Sequence, residues 1–522
     1  MNDTILSLIT FLPLVGVLIL FFIPKDSHGQ LRGLTLGVTG LVFLVSLLLV
    51  TGFVTNADFQ FVKDVPWIAA GPFQMHYHVG IDGISLWLVI LTTFIMPLAV
   101  LSTWTAVEEK VKEYMICLLL LEVGMLGAFI SLDLFLFYIF WELMLIPMYF
   151  IIGIWGGKQK IYAAVKFFIY TMAGSVLMLV ALIVLYFLGQ KAGYSSFSIL
   201  DLYKLNIDPS IQTWLFLAFA LSFAIKVPLF PVHTWLPLAH TEAPTAGSVI
   251  LAAVMLKMGT YGYLRFAIPL FPQASAKFTP LLATLAVIGI IYAALVAMVQ
   301  EDVKKLVAYS SVAHLGFVML GIFAMNQQGI AGGMLQMLNH GVSTGALFLI
   351  VGFIYERRHT RLITDFGGLS KQMPIFATIF MIVTLSSIGL PGTNGFVGEF
   401  LVLLGAYQNL QWYTVVATSG VILSAVYMLW MFQRVMFGEL NNPKNKVLTD
   451  LNAREIAIMV PLVVMIFVMG VFPTPFLDKM APAIDKLVMQ VNQKRVASVA
   501  IPQPVLSAPS AATIPETQSP IK

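Results

Sequence analysis

Fourteen stretches of roughly twenty consecutive, mostly apolar residues run through this chain, each long enough to cross the ~30 Å hydrocarbon core of a bilayer as a helix. A backbone inside lipid must satisfy its own hydrogen bonds, so runs this apolar read as helices. The stretches lie near 4 to 23, 33 to 53, 81 to 103, 113 to 131, 132 to 154, 162 to 188 and 213 to 238, then 248 to 270, 278 to 298, 305 to 325, 330 to 355, 373 to 407, 411 to 434 and 455 to 476. With 59% of its 522 residues hydrophobic and 10% charged, the chain reads as an all-α polytopic membrane protein whose core is built mostly against lipid. The first run follows Met-Asn-Asp-Thr, with no basic segment before it and no small-residue cleavage site after it, and is expected to be a retained helix.

A single cysteine, Cys117, excludes a disulfide framework and any cysteine-ligated iron–sulfur cluster held by this chain alone. The segment Gly153 to Lys158 has the wrong spacing for a phosphate-binding loop and is followed by Gln159, not Ser or Thr. A formal charge of +4 does not suggest nucleic acid. Its placement is more telling. Loops after odd-numbered spans hold Lys25, Arg32, Lys110, Lys112, Lys158, Lys160, Lys304, Lys305, Arg357, Arg358, Arg361, Lys371, Lys444, Lys446 and Arg454, against Lys63, Lys191, Lys204 and Lys277 in the others. Positive loops face the cytoplasm, so both termini are expected on the outer side.

Two spans carry helix breakers in their interiors: Ile225-Lys-Val-Pro-Leu-Phe-Pro231 in the seventh and Ile388-Gly-Leu-Pro-Gly-Thr-Asn-Gly395 in the twelfth. Irregular backbone at that depth survives only inside protein or beside a water-filled cavity. The breaks lie five spans apart, and an odd offset reverses direction through the membrane. Spans four to eight and nine to thirteen are therefore expected to form two inverted five-helix repeats, an arrangement that sets ion sites at the midplane of many transporters. The chain divides accordingly into spans one to three (1–112), the first repeat (113–270), the second repeat (278–436), a last span (437–480) and a tail (481–522). That tail holds a short amphipathic stretch near Ile484 to Val496, then turns rich in Pro, Ser, Ala and Thr, and is expected to be disordered.

Six ionisable residues are stranded near the middle of spans: Glu142 in the fifth, Lys226 in the seventh, Lys257 in the eighth, His314 in the tenth, His340 in the eleventh and Glu399 in the twelfth. A charge at the bilayer centre costs about 2.5 to 3.5 kcal/mol on insertion scales, so such residues persist where they pair, line water or move ions. They are expected to form a band parallel to the membrane. Acids and bases at one depth suit proton transfer, because burial disfavours their charged forms while an opposite charge restores them. Pairing and unpairing Glu142 with Lys226 would swing the lysine between holding and releasing its proton. The competing reading is a static ion pair locking two helices, although desolvation makes such pairs poor sources of stability. His314 follows Tyr309, Ser310 and Ser311, and His340 sits between Asn339 and the pair Ser343 and Thr344, local company that suits either a relay or a hydrogen-bonded packing histidine.

Glu122 and Lys166 also fall within spans, Lys166 near an end from which it can snorkel. His233, His240 and Glu242 cluster at the inner end of the seventh span. No second cluster completes a zinc-like ligand set, so a polar gate or cytoplasmic proton inlet is the expectation and no metal is. Arg265, near the outer end of the eighth span, is expected to snorkel.

Several joined motifs, namely Phe140-Trp-Glu-Leu-Met-Leu-Ile-Pro-Met-Tyr149, Lys226-Val-Pro-Leu-Phe-Pro-Val-His-Thr-Trp-Leu-Pro237, His240-Thr-Glu-Ala-Pro-Thr-Ala-Gly-Ser248 and Leu256-Lys-Met-Gly-Thr-Tyr261, resemble those of the antiporter-like membrane subunits of respiratory NADH:quinone oxidoreductase, complex I. The run Leu390-Pro-Gly-Thr-Asn-Gly-Phe-Val-Gly-Glu399 has glutamate where the sister subunits L and N carry lysine. The resemblance implies a proton-translocating subunit with Glu142 and Lys226 as the coupling pair, Lys257, His314 and His340 as the central relay, and Glu399 as the terminal group. It further implies that NADH, FMN, iron–sulfur clusters and the quinone site belong to other subunits, that L and N flank this chain, and that it resides in a bacterial inner membrane or another energy-transducing membrane. A multisubunit sodium/proton antiporter shares the Glu142 and Lys226 motifs and is the alternative, with membrane-bound hydrogenase complexes behind it. A purely structural spacer would leave the six ionisable residues and both breaks unexplained.

Overall fold

A computed structural model describes residues 2–499. Among these, thirteen helices are long and apolar enough to cross a membrane, from Ile5–Phe22 to Ala453–Val471. The twelfth span is divided into two shorter pieces, Pro374–Ser387 and Asn394–Asn409, which together supply the fourteenth crossing expected from sequence.

The helices are layered by exposure. Spans eight (Thr245–Leu270) and eleven (Gln327–Arg358) are wholly enclosed and span ten (Val303–Phe323) almost so, whereas span two (His28–Gly52) and span fourteen (Ala453–Val471) lie mostly on the perimeter. The enclosed helices are the ones that carry Lys257, His314 and His340. Polar side chains are placed against protein and apolar ones against the lipid-facing side, as the cost of a charge in hydrocarbon requires.

Proline accounts for three interruptions. Pro147 lacks an N–H and its ring crowds the carbonyl four residues back, that of Leu143, so span five is split into Leu134–Leu143 and Leu145–Trp155 one residue after Glu142. Pro228 and Pro231 end the first part of span seven at Lys226, and helix resumes only at Trp235–Glu242. The indole of Trp235 donates to the carbonyl of Ile225 at 2.9 Å, satisfying a backbone acceptor that the break leaves free. In span twelve, Pro391 sits between Gly389 (φ +75°) and Gly392 (φ +90°), both in the left-handed region where glycine alone is unstrained. Span eight departs from a regular α-helix without proline at its centre. Wide π-helical turns at Leu251–Met255 and Tyr263–Ala267 flank the segment bearing Lys257.

Loops after odd-numbered spans meet on one face: Arg32 donates to Val107 O, Trp155 to Glu109 O, Lys304 to Ala243 O, and Arg357 grips Glu455. The opposite face holds a feature the sequence reading left as loop, an antiparallel hairpin of β1 (Gln60–Ala70) and β2 (Phe73–Ile81). Asp133 caps span five by accepting from the Phe135 and Leu136 amides at 2.9 Å, and its other oxygen accepts from the His76 amide at 3.2 Å, tying hairpin to helix. The last described helix, Thr474–Val499, lies along this same face. It buries Met480, Ile484, Leu487 and Val491 at helical spacing, while Lys479 donates to Val50 O and Phe53 O, and Lys494 to Pro269 O, capping the carbonyl ends of spans two and eight. The expected tail from 481 is therefore helical to 499; its remainder lies outside the described residues.

Arg265 does not snorkel. It is 4% exposed and makes a two-pronged ion pair with Asp82 at 2.8 and 2.5 Å, its guanidinium set between Phe59 and Tyr261. Asp82 also caps span three (Gly83–Ala106), so the pair fastens the hairpin's exit to span eight. Truncating one partner strands a buried charge. Asp82→Ala should cost about 3 to 5 kcal/mol, and Asp82→Leu combined with Arg265→Met should recover most of it. Thermal aggregation midpoints of the detergent-solubilised protein measure both, and an unchanged midpoint in the single variant would assign the pair no stabilising role.

Candidate functional site

The structure brings four of the six predicted residues together in the interior of the bundle. Lys257 is fully buried, and its ammonium turns back to the carbonyl of Ala252 in the preceding wide turn of its own helix. It also lies 2.7 Å from His340 Nδ1, which serves as an acceptor when that nitrogen is unprotonated. The rings of His340 and His314 stand edge to face, centroids 5.9 Å apart. His314 Nδ1 is 2.8 Å from Glu399 Oε1, and its Nε2 is 3.3 Å from the Ser387 hydroxyl.

A web of neutral polar groups holds these residues. Gln336 donates to Glu399 Oε1 at 3.1 Å, Asn339 donates to Gln336 Oε1 and to the Asn394 carbonyl, and Ser343 and Ser386 bond each other at 2.6 Å. Between the two histidines, these groups enclose a small polar cavity with room for about one water molecule. The signal for the web was present in sequence: Gln336, Asn339, His340 and Ser343 recur at three- and four-residue intervals, one face of a helix. Gly398 makes the approach of span twelve possible, since a methyl there would meet Gln336 Oε1 at 2.4 Å and Asn339 Nδ2 at 2.6 Å.

Glu142 and Lys226 form a second, looser group. No ion pair within 4.0 Å joins them, although each is an electrostatic neighbour of the other. Lys226, 2% exposed, lies over the Trp141 ring at 5.0 Å from its centroid. Glu142 is half-buried beside Ser175 and Tyr138, and one of its oxygens is buried without a hydrogen-bond partner among the described residues. Both residues adjoin a helix interruption.

The secondary candidates are dispersed. Glu122 is fully buried with neither oxygen hydrogen-bonded among the described residues. Lys166 lies over the Tyr170 ring, with His233 an electrostatic neighbour. His233 packs between Phe230 and Tyr292, and His240, fully buried, stacks on Phe348 at 4.5 Å. Glu242 accepts from the Gln159 amide at 2.8 Å at the basic-loop face. No group of three or more His, Cys, Asp or Glu side chains able to hold a metal occurs among the described residues. The Asp82 and Arg265 pair escaped sequence reasoning because its members lie 183 residues apart.

Residues 131–471 match the family profile described as NADH:quinone oxidoreductase/Mrp antiporter, TM. The chain is 51% identical over 503 residues to NADH-quinone oxidoreductase subunit M of Rhodobacter capsulatus, covering 94% of this chain and 97% of that one. It is 47% identical over 488 residues to NADH-ubiquinone oxidoreductase chain 4 of Marchantia polymorpha, covering 92% and 97%. Among solved structures, a chain of respiratory complex I from Thermus thermophilus with bound NADH superposes with a TM-score of 0.84 at 34% identity, over 92% of this chain and 99% of that chain. A chain of the Mrp complex from Dietzia shares the fold at 19% identity, with a TM-score of 0.81 over 95% and 99%. The motifs, the fold and these likenesses agree: the chain belongs to the NADH:quinone oxidoreductase/Mrp antiporter transmembrane family.

Proposed function

We propose that this chain is a proton-translocating membrane subunit of an NADH:quinone oxidoreductase, moving protons along Glu142, Lys226, Lys257, His340, His314 and Glu399 while quinone is reduced elsewhere in the complex. The observation that carries this reading is the chain of contacts from Lys257 through His340 and His314 to Glu399, buried in the enclosed spans. A lysine ammonium can give its proton to His340 Nδ1. The small cavity bridges the two imidazoles, and His314 hands a proton to the Glu399 carboxylate across 2.8 Å. Glu142 and Lys226 would set the lysine's proton affinity by their separation, which their lack of direct contact leaves free to change.

Support for the subunit assignment comes from the 51% identity to a subunit M over nearly the whole chain. NADH, FMN, the iron–sulfur clusters and quinone would be held by partner subunits. The interruption of span twelve leaves Leu390, Pro391 and Gly392 exposed at membrane depth, and irregular backbone there needs a protein neighbour, not lipid. Antiporter-like subunits L and N on either side would supply such cover. The matched breaks in spans seven and twelve support two inverted repeats, and the basic loops gathered on one face support a cytoplasmic orientation for it, with the termini outside. The host membrane would be a bacterial inner membrane or another energy-transducing one.

In inverted vesicles carrying Glu142→Gln, with assembly verified, NADH-driven proton uptake and quinone reduction should fall together by about a hundredfold, the low end for losing a positioned proton-transfer group. Normal pumping would reduce Glu142 to a structural contact. Gly398→Ala should impair uptake without altering any charge, because forcing the methyl against Gln336 and Asn339 costs about 1 to 3 kcal/mol and displaces Glu399. The same uptake assay reads it, and a wild-type rate would show that the amide web does not position the carboxylate.

A further inference from the structure

A cavity of about 650 Å³ opens on the basic-loop face, with Glu242, Lys304, Tyr355, Glu356 and Arg361 in its walls. Lys304, second residue of span ten, is only 6% exposed although it lines that cavity. Its ammonium donates to the carbonyl of Ala243 at 2.5 Å, and its charged neighbours are Arg361, Asp302 and Glu242. Near it His240 is fully buried, with neither ring nitrogen hydrogen-bonded among the described residues. Its charged neighbours are Lys304 and Lys257.

Buried polar groups are almost always bonded, and an exception calls for a reason. An imidazole with both nitrogens open and two lysines as electrostatic neighbours can accept a proton at one nitrogen and release it from the other. We propose that Lys304 is the proton-loading group of this chain. It gives a proton from its ammonium to His240, breaking one N–H bond and forming another, and regains one from cavity water. His240 then passes its proton to Lys257, the head of the path already described. The inference rests on the proton-transfer reading and adds where the path is filled.

The competing role is static: Lys304 simply caps the carbonyl end of the helix Trp235–Glu242. Lys304→Arg separates the two, because arginine keeps the charge and the donor but holds its proton permanently. In inverted vesicles containing the assembled complex, Lys304→Arg should lower NADH-driven proton uptake by about a hundredfold, in keeping with loss of a proton-transfer group. Lys304→Gln should be similarly slow at fixed pH but recover when imidazole is added, since a diffusible buffer can reach the cavity and protonate His240. A wild-type rate for Lys304→Arg, or a Lys304→Gln variant that imidazole does not restore, overturns the proposal. Glu142→Gln in the same vesicles distinguishes the failures. If it is blocked while Lys304→Arg pumps normally, only the loading role is lost; if it pumps normally, the proton-transfer reading itself falls.

Discussion

Desolvation of charge in hydrocarbon governs this molecule. Ionisable groups cannot face lipid, so the chain spends its most enclosed helices, spans eight, ten and eleven, on Lys257, His314 and His340, and wraps them in apolar ones. Once enclosed, the groups must find one another or remain uncompensated, and the contacts from Lys257 to Glu399 are the result.

The helix interruptions serve the same constraint. A regular helix has no free backbone groups and offers side chains only a fixed set of directions. At Leu143, Lys226 and Gly389, proline and glycine release backbone and let helix segments change direction, and each break lies close to an ionisable residue. The wide turn before Lys257 has a comparable effect without proline: the ammonium returns to the Ala252 carbonyl. Local irregularity is confined to places where neighbouring helices or side chains, such as the Trp235 indole, satisfy the freed groups.

The two faces are built differently. The basic-loop face is open, with a broad cavity between loops. The other is laced by the hairpin, by the Asp133 and Asp82 caps and by the final helix, whose lysines cover carbonyl ends. Such lacing links spans two, three, five and eight on the face opposite the basic loops.

Sequence alone determined the membrane class, the count and order of spans, the two major breaks and which ionisable residues fall inside spans, because length, apolarity and proline act locally and are read directly from the chain. The amide web on span eleven was legible as a helical stripe, and the span-five break as Pro147 acting on Leu143. Tertiary structure decided what touches what. Arg265 was expected to reach water but is paired with Asp82, Lys166 lies over Tyr170, Glu142 and Lys226 stand apart, and the hairpin and final helix cover the face opposite the basic loops. These outcomes depend on partners up to hundreds of residues away, and on which of several energetically similar burials the packed bundle permits; no local pattern encodes that choice.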